Sequence, residues 1–215
     1  MQDARDAMNK ARTREDFLAT AVLFESAGDA ESLKQAGRCR KLADLTKGSR
    51  VTMGTWNGEP LTWEIVQEHG KQRLLVCEKL IGEHSYMDTM FNASWATSSL
   101  RKWLNTEFLK EAFTNEERMS IMFGKIMNPP SEKWGSEGGR NTSDRVFILD
   151  IHEIEQFLPD VSQRAMGKWW WVRTPGMNLQ SVVAVYADGS IYDYGIRVNY
   201  TDGGVRPALW ILTRV

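Results

Sequence analysis

The sequence predicts an α+β protein: a helical pair at residues 1–46, then a strand-rich domain with short helices over residues 50–213. Three observations carry that prediction. Apolar residues in the first segment recur at helical spacing and never alternate. After Lys47, Gly48 and Ser49 the pattern shortens to period two. The last third alternates short apolar runs with turn dipeptides.

The first helix of the pair opens at Thr13, with Asp16 three residues on as a capping box, and carries Phe17, Leu18, Ala21 and Phe24. Gly28 ends it. The second helix places Leu33, Ala36 and Leu42 on one face, and small Ala36 and Gly37 let the two helices approach. The pair is tetratricopeptide-like. A single such unit cannot bury its own face, so it packs on the rest of the chain, on a partner or on another copy.

Val51–Trp56, Leu61–Val66 and Arg73–Lys79 read as strands, the first two joined by an Asn57-Gly58 hairpin turn. From Ser98, Leu100, Trp103, Leu104 and Phe108 form a helix face. Thr114 with Glu117 opens another short helix. Residues 128–142 are rich in Pro, Gly, Ser and Asn and read as a long loop. Val146–Leu149 is a buried strand, and Asp150 with Glu153 caps a helix that ends near Pro159. Five strands close the chain: Trp169–Arg173, Val182–Tyr186, Ile191–Tyr194, Ile196–Tyr200 and Val205–Leu212. Their turns are Pro175-Gly176, Asp188-Gly189 and Asp202-Gly203-Gly204.

Composition excludes several classes. With 27 basic and 28 acidic residues the net charge is −1, which argues against nucleic acid or an anionic membrane surface as partner. No apolar run reaches the ~20 residues a membrane span needs. No signal peptide precedes the first helix, so the expected location is cytoplasmic; virion or surface association is compatible with the same sequence. Two cysteines, Cys39 and Cys77, make no disulfide framework. Both read as packing residues.

Motifs of catalysis are missing. His69, His84 and His152 stand apart in different elements, so no metal site is expected. There is no phosphate-cradling glycine loop and no G-x-S-x-G nucleophile turn. Glu153 and Glu155 read as a helix cap and a solvated face. The expectation is a protein with no cofactor and no catalytic residues.

What stands out is aromatic. The chain has nine Trp, three of them consecutive at Trp169, Trp170 and Trp171. On a strand the middle indole faces away from its neighbours, so at least one lies in the core and at least one near the surface. Four of the five tyrosines, Tyr186, Tyr192, Tyr194 and Tyr200, fall in one short stretch with Asp193, Arg197, Asn199 and Asp202. Tyrosine offers rigid contact area with a polar tip, and arginine a bidentate fork. Tyrosines also suit strands for packing alone.

Trp170-Trp171-Val172-Arg173-Thr174-Pro175-Gly176 resembles the W-W-L-R-S-P-G signature of a large bacterial domain family. Ala187-Asp188-Gly189-Ser190-Ile191 and the closing Gly204-Val205-Arg206-Pro207-Ala208-Leu209-Trp210 continue the resemblance. Upstream, Leu61-Thr62-Trp63-Glu64-Ile65-Val66 is similar to its I-x-W-x-V-L strand. Ser99 to Asn105 is similar to its S-x-I-R-x-W-L-N helix, and Val146-Phe147-Ile148-Leu149 to its V-F-L-L-S strand, with Asp150 in place of Ser. The resemblance implies a C-type-lectin-like fold related to formylglycine-generating enzymes. It makes Trp170, Arg173, Gly189, Arg206 and Trp210 scaffold.

That fold hosts several functions. The oxidase branch needs cysteines near the C-terminal site, and none follows Cys77. The iron branch needs a histidine cluster. The calcium-lectin branch needs E-P-N with W-N-D, and Glu59-Pro60 is followed by Leu61. A fourth branch comprises the variable proteins of diversity-generating retroelements, in which randomised adenines turn Asn codons into NNY codons. Those codons cannot encode Lys, Glu, Gln, Met or Trp. The five types make up 53 of the 215 residues but none of the 26 between 181 and 206, where about six would be expected. Strand and turn composition also depletes most of them.

The sequence therefore points to a non-enzymatic ligand-binding module. Its face comprises Tyr186, Tyr192, Asp193, Tyr194, Arg197, Asn199, Tyr200 and Asp202, and its ligand is a protein or a carbohydrate. Two rival readings remain: a structural module that self-associates through residues 1–46, and an enzyme of the formylglycine-generating-like fold.

Overall fold

A computed structural model describes residues 2–11, 13–90 and 93–213, apart from the side chain of Leu42. The expectation for Leu42 lies outside the described residues. The architecture is α+β, with N-terminal helices followed by antiparallel sheets and short helices.

The first segment holds three helices rather than two: α1 (Gln2–Lys10), α2 (Arg14–Glu25) and α3 (Ala30–Ala43). Thr13 and Asp16 form the expected capping box at the start of α2. The inner surface is built from small side chains, Ala4, Ala21, Ala36 and Cys39, around Phe24. Leu33 does not join them; it is 51% exposed, because the buried face of α3 runs through Ser32, Ala36, Cys39 and Ala43. Gly37 likewise faces open space, so only Ala36 serves the close approach. A bidentate Arg40–Glu25 pair at 2.8 Å ties α3 to α2.

Strands β1 (Arg50–Trp56), β2 (Glu59–His69) and β3 (Gln72–Cys77) follow as an antiparallel meander. Asn57 and Gly58 both take positive φ, 51° and 80°, as a two-residue hairpin of right-handed twist requires. Gly54 bulges β1: its φ is +79°, and a Cβ there would lie 2.8 Å from the Phe113 ring.

Next come α4 (Ser99–Trp103), a π-helical turn (Leu104–Phe108) and α5 (Leu109–Ala112), then α6 (Asn115–Ser120). The sequence marks the stretch from Ser98 through Phe108 as one helix; the structure interrupts it with the π-helical turn. Two short strands, β4 (Gly124–Ile126) and β5 (Thr142–Asp144), pair at the ends of the long loop and were not expected. Three residues each offer too little alternation to read. Strand β6 (Val146–Phe147) leads to α7 (Ile151–Phe157), whose Asp150–Glu153 box forms as expected, and α8 (Val161–Arg164) follows.

Strands β7 (Trp170–Pro175), β8 (Ser181–Val185) and β9 (Ile191–Arg197) make a second antiparallel sheet with β8 central. The sequence divides residues 191–200 into two strands. One strand, Ile191–Arg197, runs through Gly195 instead: Gly195 takes a φ of +87°, and a Cβ there would lie 2.9 Å from the Gly176 Cα. Strand β10 (Ala208–Leu212) inserts between β3 and β6, completing a five-stranded sheet in the order β1-β2-β3-β10-β6. The main core lies among these elements and includes Trp63, Trp95, Trp170 and Trp171, each fully buried.

Candidate functional site

The motif-bearing residues of the domain are spent on structure. Arg173, on β7, is buried and bonds through all its donors. It reaches Asn128 Oδ1 at 3.1 Å, the Ile148 carbonyl, the Met127 carbonyl, Asp150 Oδ2 at 2.9 Å and Glu153 Oε2 at 3.0 Å. One guanidinium thus pins β7 to β6, to the cap of α7 and to the long loop. Arg206 donates to the Cys77 and Gln163 carbonyls and lies over the Trp170 ring; burial pulls its pKa down. Asp144, also buried, accepts from Trp95 Nε1 at 2.8 Å, Arg101 Nε at 2.7 Å and Thr142 Oγ1 at 2.6 Å. Asn105 closes the same corner on Val146.

Trp170 and Trp171 are fully buried and Trp169 half-buried: β7 is buried on both faces, so the run divides at the start of the strand and not by alternation. Trp171 donates to the His84 carbonyl at 2.7 Å and meets Trp169 edge-on at 4.7 Å.

The eight expected binding residues fall in three places. Tyr186 follows β8, and Tyr192 and Tyr194 share one face of β9; the three rings form a row. Tyr186 stacks on Tyr192 at 4.9 Å and 24°, and Tyr192 meets Tyr194 at 5.9 Å and 32°. Burial and the neighbouring Tyr192 raise the Tyr186 phenol above its ordinary value. Strand alternation turns Asp193 to the opposite face, where it pairs with Lys133 at 2.6 Å. Arg197 ends β9. Asn199, Tyr200 and Asp202 lie exposed in the segment beyond, with Asp202 accepting from Trp169 Nε1 at 3.3 Å.

The row has a member the sequence did not mark. Trp134, from the long loop, packs on Tyr194 at 4.9 Å and donates its indole N–H to the Asp193 carbonyl at 3.0 Å. Lys133 lies over both rings, 5.0 Å from the Trp134 centroid and 5.3 Å from that of Tyr194. Its ammonium pKa is raised, first by the hydrogen bond to Asp193. A lone Trp in a stretch of Gly, Ser and Glu is the available signal.

The support beneath is rigid. All five residues of β8 are buried. Gly189 makes the β8–β9 turn at φ +88°, where a Cβ would lie 2.2 Å from the Val161 carbonyl. Asp188 braces the same turn by accepting from the Ser190 amide and hydroxyl, and those bonds lower its pKa.

On the Asp193 face of β9 lies a cleft of about 170 Å³. Pro129, Pro130, Ile151 and Val183 give it apolar walls, and Glu132, Glu155 and His152 stand at its rim. His152 Nε2 is 3.5 Å from Glu132 and Nδ1 is 4.0 Å from Glu155. Among the described residues no group of three or more His, Cys, Asp or Glu could hold a metal ion, and no helix is long and apolar enough to cross a membrane. Burial raises the thiols of both Cys39 and Cys77, which suits the packing role expected of them.

These features define an α+β domain whose signature residues build a scaffold and whose edge strand carries an exposed aromatic row. The chain belongs to the family described as Domain of unknown function (DUF6273), whose model matches residues 70–213. The match starts where β2 ends, so the motif at Leu61–Val66 lies outside it, although β2 is hydrogen-bonded to β3 in the same sheet. No curated protein and no solved structure matches the chain.

Proposed function

We propose that this chain is a ligand-binding module, without catalytic residues, whose C-type-lectin-like domain presents the row of Tyr186, Tyr192, Tyr194 and Trp134. The observation that carries this reading is the row itself: four touching rings, two of them 39% and 49% exposed, with Tyr192 and Tyr194 on edge strand β9, Tyr186 just after the buried β8 and Trp134 from the long loop. Exposed stacked tyrosines on a rigid support are a costly use of apolar area unless something docks there.

The ring geometry favours a protein ligand over a carbohydrate. Sugar stacking needs a free aromatic face. Here Tyr192 and Tyr194 turn their faces to neighbouring rings, and Lys133 covers the far end. Tyrosine rings with polar tips suit contact and hydrogen bonding with a protein surface.

Diversification by a retroelement is part of the proposal. The segment 181–206 interleaves buried positions, such as Val182 to Val185 and Val198, with exposed ones. Only the exposed set is free to vary without loss of the fold. A near-copy of the coding DNA for this segment, differing only at adenines beside a reverse-transcriptase gene, supports that part; its absence leaves a fixed binding face.

Binding is tested by panning a random-peptide display library and a glycan array against the wild-type chain and against Tyr192→Ala/Tyr194→Ala. The reading expects peptide binders that the double variant loses while its melting temperature stays within a few degrees. Binding retained by the variant overturns it, as does a collapse of stability that makes the rings core.

A further inference from the structure

We infer that the outer face of the β4–β5 ribbon binds an extended, acidic peptide segment of a partner protein. It uses none of the residues of the tyrosine row. Alternation divides the ribbon into two faces. Ile126 turns into the core, and a Cβ on Gly124 would lie 3.2 Å from the Trp210 ring. Asp144, opposite Gly124, is buried against Trp95, Arg101 and Thr142. Phe123, Lys125 and Met127 therefore turn outward, beside Ser143 and Arg145 of the paired segment.

Two independent features mark this face as one that receives a ligand. The first is apolar: Phe123 is 64% and Met127 50% exposed, on a ribbon whose other face already packs on the core. The second is charge. The face carries two cations and no Asp or Glu, and among the described residues neither Lys125 nor Arg145 forms an ion pair. The Arg145 side chain donates no hydrogen bond to a described residue, and its Nε is buried without a partner. Its guanidinium lies over the Phe123 ring at 4.6 Å. That contact holds the fork in place and leaves it without an oxygen acceptor, which a carboxylate supplies.

The spacing selects an extended ligand. Lys125 stands opposite Ser143, so Arg145 is its diagonal neighbour, at about 7–8 Å. Side chains at i and i+2 of an extended peptide share one side and lie about 7 Å apart. Two carboxylates so placed reach both cations, and an apolar residue two positions further along meets Phe123 or Met127. Nucleic acid and an anionic membrane fit less well. Two cations make no stripe that tracks phosphates, and the net charge of the chain is −1.

The test is a heteronuclear NMR titration of the full chain with three capped peptides: Leu-Ser-Glu-Ser-Glu-Ser-Leu, the same with Gln for both Glu, and Leu-Ser-Ser-Glu-Glu-Ser-Leu, whose adjacent acids point to opposite sides. The first should give saturable shifts confined to residues 123–127 and 141–145. The other two should bind roughly fivefold more weakly, the scale of two exposed ion pairs. Lys125→Gln, at an exposed position, should weaken the first peptide roughly twofold with unchanged melting, and Arg145→Gln at least as much. Tyr192→Ala/Tyr194→Ala should bind it as wild type does, so that this face and the tyrosine row stand or fall separately. Equal affinity for the glutamine peptide, full affinity in Lys125→Gln, or shifts scattered over the surface overturns the assignment. Co-sedimentation with phosphatidylserine vesicles without peptide binding also overturns it and gives the face to a membrane surface.

Discussion

Arg173 donates five hydrogen bonds to two stretches of chain, 127–128 and 148–153, two of them to carboxylates that also cap α7. Removing one partner from a buried pair typically costs about 3–5 kcal/mol, because the other charge is left unpaired. Arg173→Met should lose that much in urea unfolding. Arg173→Lys should recover only part, since an ammonium has three donors where the site uses five. If the lysine variant matches wild type, the guanidinium geometry is not what the motif preserves. At this scale the sequence is legible where a motif carries the residue. Arg173, Arg206 and Gly189 were marked as scaffold by resemblance, and all three sit in close-packed surroundings. Trp134 and Lys133 were not marked, because their contacts with β9 span about 60 residues and depend on how the loop folds back.

At the scale of elements, capping chemistry was the most readable signal. The boxes at Thr13, Thr114 and Asp150 all form, since each is decided within four residues. The NG hairpin forms for the same reason. The π-turn after Trp103 and the β4–β5 pair were not readable, because distant partners set them: Asn105 bonds Arg145 and Val146 from inside that turn. Glu117 shows a local cap serving the tertiary fold. Its carboxylate accepts from the Thr114 and Gly54 amides, both at 2.8 Å, joining α6 to the β1 bulge. Burial raises its pKa, but those donors outweigh it and hold the carboxyl below the ordinary glutamate value. A pKa depressed on folding contributes stability that is present above the unfolded value and lost as pH falls through the folded one. Thermal stability should therefore decline as pH drops below about 4.3, and Glu117→Gln should flatten that decline. An unchanged acid slope would remove the carboxylate from the account. Gly189→Ala is the turn's counterpart. Its φ of +88° and the 2.2 Å approach to the Val161 carbonyl leave no room for a methyl, so melting should fall by several degrees. A neutral result would mean that the turn relaxes.

The molecule as a whole divides its aromatic residues between two tasks. Trp63, Trp95, Trp170 and Trp171 fill the core, while Tyr186, Tyr192, Tyr194 and Trp134 line one outer edge. The sequence separated these classes only partly. It placed Asp193, Arg197, Asn199, Tyr200 and Asp202 on the same face as the tyrosines because they are close along the chain. Strand alternation and the end of β9 divide them into three locations. The central claim is that the row serves binding and the motif residues serve the fold, and the two roles predict opposite tolerance. The most direct measurement is a display library in which Tyr186, Tyr192, Tyr194, Arg173, Gly189 and Arg206 are each fully randomised, scored by protease resistance of the folded chain. Most substitutions should survive at the three tyrosines and almost none at Arg173, Gly189 and Arg206. Equal intolerance at the tyrosines would make them structural and contradict the account.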